Sequence, residues 1–162
     1  MRDLQRRALD YLRQQSVMTL ATAGPEGLWA AAVYYVNDGF TLYFLSAPTS
    51  RHSRNIEAAP RVAATIQAQE TDWRRIMGIQ LEGETARIAG PEQAAALLRY
   101  GQKCPLVANL ATAPGEIVRA FERIAWYRLR PTRLYLIDNA RGLGHRDEVP
   151  LAMSPGEFTY GS

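Results

Sequence analysis

The chain has 162 residues, 47% of them hydrophobic, enough for one globular domain that buries roughly two-thirds of its unfolded surface and too few for two large ones. Its 19 basic and 16 acidic residues leave a net charge of +3, and the basic residues, all arginine except Lys103, are spread along the chain. With no basic run to track a phosphate backbone, nucleic acid is excluded as an expected partner.

The first element is predicted as an amphipathic helix over about 3–15, where Leu4, Ala8, Tyr11 and Leu12 recur at helical spacing. The period then shortens. Val17–Ala23, Leu28–Val36, Phe40–Ser46, Val62–Ala68 and Ile76–Ile88 are β-rich runs, separated by turns such as Gly24-Pro25-Glu26-Gly27 and Asn37-Asp38-Gly39. Asn37-Asp38-Gly39 tolerates the positive φ of a tight hairpin, after which Leu42, Phe44 and Ser46 share one face and Tyr43 and Leu45 the other. Pro91-Glu92-Gln93 opens a second helix running to about Tyr100, and Pro114-Gly115-Glu116 leads a third, with Ile117, Val118, Phe121 and Ile124 at core spacing. Thr132–Asp138 alternates as a last strand, and the tail over 142–162 reads as loop. Six strands joined mostly by hairpins predict a mainly β, six-stranded antiparallel barrel with helical decoration, as a single domain over 1–162.

Lone Cys104 excludes an internal disulfide, and with only His52 and His145 far apart no zinc site is expected. No apolar run approaches the roughly 20 residues of a membrane helix, and residues 1–16 are too charged for a secretory signal, so the expectation is a soluble, cytoplasmic protein. No Ser-His-Asp order, paired-carboxylate spacing or glycine-rich nucleotide loop is present, so no catalytic side chain is assigned and any chemistry is expected from a cofactor.

The most informative stretch is 42–62. A strand ends at Ser46, Thr49 or Ser50 can cap a short helix, and that helix must stop before Pro60. The free N–H groups at the helix start, the hydroxyls of Ser46, Thr49 and Ser50, the Arg51 guanidinium and the His52 imidazole can converge on one phosphate dianion. The same residues also read as a plain helix cap with a solvated basic face.

Leu45-Ser46, Ser50-Arg51-His52 and Ala59-Pro60-Arg61-Val62, followed by the strand ending Gln80-Leu81-Glu82-Gly83 and by Ile137-Asp138-Asn139 with Gly142-Leu143-Gly144-His145, resemble the pyridoxamine-phosphate-oxidase-like FMN-binding split-barrel proteins. The likeness covers most of the chain. It implies a split β-barrel, a homodimer and FMN in clefts between subunits, with a small-molecule substrate. Carried over residue by residue, Leu45 and Ser46 lie beside the ribityl phosphate, Ser50, Arg51 and His52 hold it, and backbone from Ala32 through Val33 to Tyr34 lines the ring. Short side chains at Ala30, Ala31 and Ala32 suit a ring laid on a strand, and equally suit tight barrel packing. Gln80 is either a hydrogen-bond partner for the flavin pyrimidine edge or a polar barrel residue.

The sequence also departs from the family. His52 stands where the family has lysine, no arginine lies within 29–33, and no arginine-histidine pair for a substrate phosphate is found near the end. A true pyridoxamine-phosphate oxidase is therefore not expected. The reading is an FMN-dependent oxidoreductase of unnamed substrate, with a non-catalytic flavin- or haem-binding module as the alternative. Trp73 is open between a cleft-covering and a core role, Cys104 reads as a buried small apolar residue, and His145 as a solvated loop residue or haem ligand.

Overall fold

The computed structural model describes residues 2–104 and 114–152. Helix α1 (Arg2–Gln14) buries Ala8, Leu9, Tyr11 and Leu12, the stripe selected by the 3.6-residue period. Two tyrosines tie it to the sheet: Tyr11 donates to the Met77 carbonyl at 2.6 Å and accepts from the Ala68 N–H at 3.0 Å, and buried Tyr35 donates to the Leu12 carbonyl at 2.8 Å.

Strands β1 (Val17–Gly24), β2 (Gly27–Asp38), β3 (Thr41–Ser46), β4 (Arg61–Gln67), β5 (Met77–Ile88) and β6 (Ala125–Asp138) pair antiparallel in the order β3-β2-β1-β4-β5-β6. Pairing of β3 with β6, Leu42 opposite Leu129 through Ser46 opposite Ala125, closes them into the expected six-stranded barrel. Inward residues from every strand, among them Met18, Tyr35, Phe44, Ile66, Ile79 and Leu134, fill it. Helix α2 (Arg51–Ala58) follows β3 and packs on β1, contributing Ile56 to this core. Helix α3 (Gly90–Lys103) lies outside the barrel over Val36, Ile88 and Trp126, with Ala96 and Tyr100 facing them. Helix α4 (Gly115–Glu122) precedes β6; Phe121 packs on this second cluster, whereas the side chains of Ile117 and Val118 lie outside the described residues.

Two expectations change. The last strand begins at Ala125 rather than Thr132, because Pro131 does not end it: the register shifts at Glu82 and Gly83, where Arg133 and then Pro131 are the partners, so Thr132 is the extra residue of a β-bulge. The tail is not all loop, since β7 (Arg146–Glu148) pairs with β6 at Tyr135 to Ile137; residues from 153 on lie outside the described residues. No helix among the described residues is long and apolar enough to cross a membrane.

Candidate functional site

Ser50 is the N-cap of α2, with extended backbone and an Oγ that accepts the Ser53 N–H at 3.3 Å. The same Oγ stands 3.0 Å from Ser46 Oγ and 3.2 Å from His52 Nε2, and Ser46 Oγ is 2.6 Å from that nitrogen. Thus the end of β3 and the first turn of α2 bring Ser46, Ser50 and His52 into one hydroxyl–imidazole cluster, at a helix terminus whose first N–H groups have no intrahelical acceptor. Desolvation by burial holds His52 below its ordinary value, so the imidazole is neutral near pH 7.

Arg51 does not join this cluster. Its guanidinium donates to the Glu26 and Leu28 carbonyls of the β1–β2 hairpin and lies 4.6 Å from the centre of the Trp29 ring, while its Nε is buried without a hydrogen-bond partner. Arg54 donates to the Thr49 carbonyl and pairs with the Glu26 carboxylate at 2.9 Å. Asn55, buried behind them, donates to Thr22 Oγ1 at 3.1 Å and packs so closely on Gly24 that a Cβ there would lie 2.2 Å from its Oδ1. Helix α2 is therefore clasped to the hairpin tip by three side chains.

The other expected residues divide by strand parity. Leu45 packs toward α3 whereas Ser46 faces the α2 cluster, so their side chains point to opposite sides of β3. Val33 is in the barrel core, and Tyr34 is partly buried, donating to the Lys103 carbonyl at 3.2 Å. Ala32 is exposed on the outer face, in a row running Ala32, Thr19, Thr65, Gln80, Tyr135 across five strands. The next row is Ala30, Ala21, Ala63, Glu82, Arg133. Along β2 the outer face is covered by α3 at Tyr34 and Val36 and bare at Leu28, Ala30 and Ala32, with Leu28 83% exposed.

Two grooves lie on this bare face. One of about 800 Å³ is floored by Ala21, Ala30 and Ala63 and edged by Leu28, Trp29 and Arg61; a second of about 460 Å³ includes Gln80, Arg133, Tyr135 and Arg146, and the two share Ala63 and Glu82. Gln80 is exposed, with no side-chain hydrogen bond among the described residues, and lies three strands from Ala32, about 14 Å away. Neither groove is lined by Ser46, Ser50 or His52; Trp29, under Arg51, connects the α2 start to the larger one. No sequence motif marks Trp29, Glu26 or Asn55, because only the packing of α2 on the hairpin gives them a role.

Outside this region, Trp73 is 53% exposed in a 3-10 turn rather than in the core. Cys104 is half-buried against the α3 cluster. His145 is not simply solvated: its Nε2 lies 3.0 Å from the Asp147 carboxylate, which it helps hold below the usual carboxylate range. No group of three or more potential metal ligands occurs among the described residues.

The family model described as pyridoxamine 5'-phosphate oxidase matches residues 4–138. A UPF0306 protein of Klebsiella pneumoniae is 31% identical over 138 residues, covering 84% of this chain and 86% of the relative. Among solved structures, a heme-binding protein from Mycobacterium smegmatis superposes with a TM-score of 0.71 at 24% identity, over 91% of this chain and 57% of that one. The heme storage protein HutZ from Vibrio cholerae gives 0.66 at 16% identity, over 82% and 94%. At these identities the structural likeness is one of fold.

Proposed function

The chain belongs to the pyridoxamine 5'-phosphate oxidase family, and from that premise we propose that it is an FMN-binding flavoprotein, acting as a homodimer and as an oxidoreductase on a small molecule. The observation that carries this reading is the meeting of Ser46, Ser50 and His52 at the start of α2, beside an arginine whose buried Nε has no hydrogen-bond partner. A donor set of two hydroxyls, an imidazole, free helix N–H groups and a guanidinium fits a phosphate monoester.

When bound, FMN supplies hydride transfer at its N5. The residues of the chain bind and orient. Ser46 and Ser50 donate to the phosphate, and His52 gains a proton as the anion arrives, since the anion favours its charged form. Arg51 adds a guanidinium once it leaves the hairpin carbonyls. The short side chains of Ala30 and Ala32 let a planar ring approach the β2 backbone, and the Gln80 amide offers donor and acceptor to its polar edge. A second copy docked on the bare alanine face excludes water from the ring.

Titration of ligand-free protein with FMN and with riboflavin tests this reading. FMN is expected to raise the melting temperature by mass action and shift the visible spectrum, with riboflavin much weaker. No change in either observable overturns it. Bleaching of the bound flavin by a reduced nicotinamide separates an enzyme from a non-catalytic module.

A second reading, a haem-binding module, is supported by the His145–Asp147 pair, because a carboxylate on one ring nitrogen orients an imidazole for metal ligation through the other. A reddish protein whose Soret band moves in His145→Ala would select it.

A further inference from the structure

We propose that Glu26 is an internal counter-anion at the start of α2, and that it sets how tightly the site holds a phosphate monoester by competing with it for Arg51 and Arg54. This rests on the reading of the same site given above. The Glu26 carboxylate lies 2.9 Å from Arg54 Nη2 and 3.8 Å from Arg51 Nε, so one acidic side chain from the hairpin reaches both arginines of the first helical turn. It is drawn to the helix opening, because Arg54 also donates to the Thr49 carbonyl there. Glu26 and the two arginines are partly exposed, so the competing interactions are weak enough to exchange.

Arg51 is held at the hairpin by carbonyls and the Trp29 ring, and its buried Nε–H has no hydrogen-bond partner, the Glu26 carboxylate lying 3.8 Å away. Its Cα is next to Ser50, so rotation about side-chain bonds alone carries the guanidinium from the hairpin to the hydroxyl cluster. A dianion at that cluster outcompetes a single exposed carboxylate and releases Glu26 to solvent. The occupied site then has both arginines on the ligand, and the hairpin tip keeps only its Asn55 contacts to α2.

The test measures dissociation constants of inorganic phosphate, FMN and riboflavin for the full chain and for Glu26→Gln, with Glu26→Asp as a second variant that withdraws the carboxylate by one methylene. Glu26→Gln is expected to bind phosphate and FMN about threefold tighter, with riboflavin unchanged, and Glu26→Asp to change in the same direction by less. In an Arg51→Ala, Arg54→Ala background the gain disappears. Unchanged or weaker phosphate and FMN binding, in whichever variant keeps the native circular dichroism spectrum, overturns the proposal, because Glu26 would then only brace the hairpin. Absence of phosphate binding to every variant overturns it too. Tighter phosphate with no FMN binding at all upholds the role of Glu26 and removes the flavin reading.

Discussion

Ser50, Arg51 and His52 are consecutive in the chain yet face three different tasks. Ser50 caps the helix, His52 closes the hydroxyl cluster, and Arg51 leaves in the opposite sense to clasp the hairpin. If Arg51 serves the phosphate, Arg51→Ala removes charge-assisted hydrogen bonds worth about 1.5–3 kcal/mol and weakens FMN by roughly ten- to a hundredfold, leaving riboflavin nearly unchanged. Equal losses measured for both ligands would contradict phosphate recognition. His52 carries a pH dependence whose sign follows from burial. Its folded value lies below the ordinary 6.5, so on acidification the unfolded chain binds more protons and stability falls as pH drops through that value. Phosphate binding acts in the opposite direction, because the anion draws a proton onto His52, so FMN should bind more tightly at about pH 6.5 than at about pH 8. Urea midpoints and FMN titrations at the two ends of these ranges read both effects, and His52→Gln should flatten them.

At the scale of elements, β6 depends on one irregularity. Gly83 sits where the bulge at Thr132 presses the β6 backbone inward, and a Cβ there would lie 2.3 Å from the Arg130 carbonyl oxygen and 2.9 Å from the Pro131 Cα. Backbone cannot yield as a flexible side chain would, so Gly83→Ala should cost about 1–3 kcal/mol or more in urea denaturation, in keeping with overpacking. The bulge also explains why alternation alone starts the strand at Thr132. Pro131 reads locally as a strand end, and nothing short of the cross-strand partner reveals that the ladder resumes beyond it. The start of α2 was more legible, since a capping serine and a downstream proline act over a few residues.

At the scale of the whole molecule, pairing of β3 with β6 closes the six strands into a barrel, and on the homodimer reading a partner copy would dock against its outer face. The bare rows of Ala30, Ala21 and Ala63 beside Leu28 and Trp29 form the apolar face suited to that. On the homodimer reading, Ala21→Glu places a carboxylate within the covered face and should give monomers in sedimentation velocity, with FMN binding lost and the circular dichroism spectrum retained. A dimer that keeps its FMN would move the interface elsewhere.

By itself the order of residues determined the number of barrel strands, the hairpin turns, the first helix, a cap at Thr49 or Ser50 and the family, because period, turn chemistry and capping are decided within a few positions. Only the tertiary structure decided that β3 closes on β6, that Arg51 lies on the hairpin with Glu26, and that α3 covers one part of β2 and leaves the alanines bare. Each of these depends on segments tens of residues apart meeting in one register, and no local period specifies which surfaces those meetings cover.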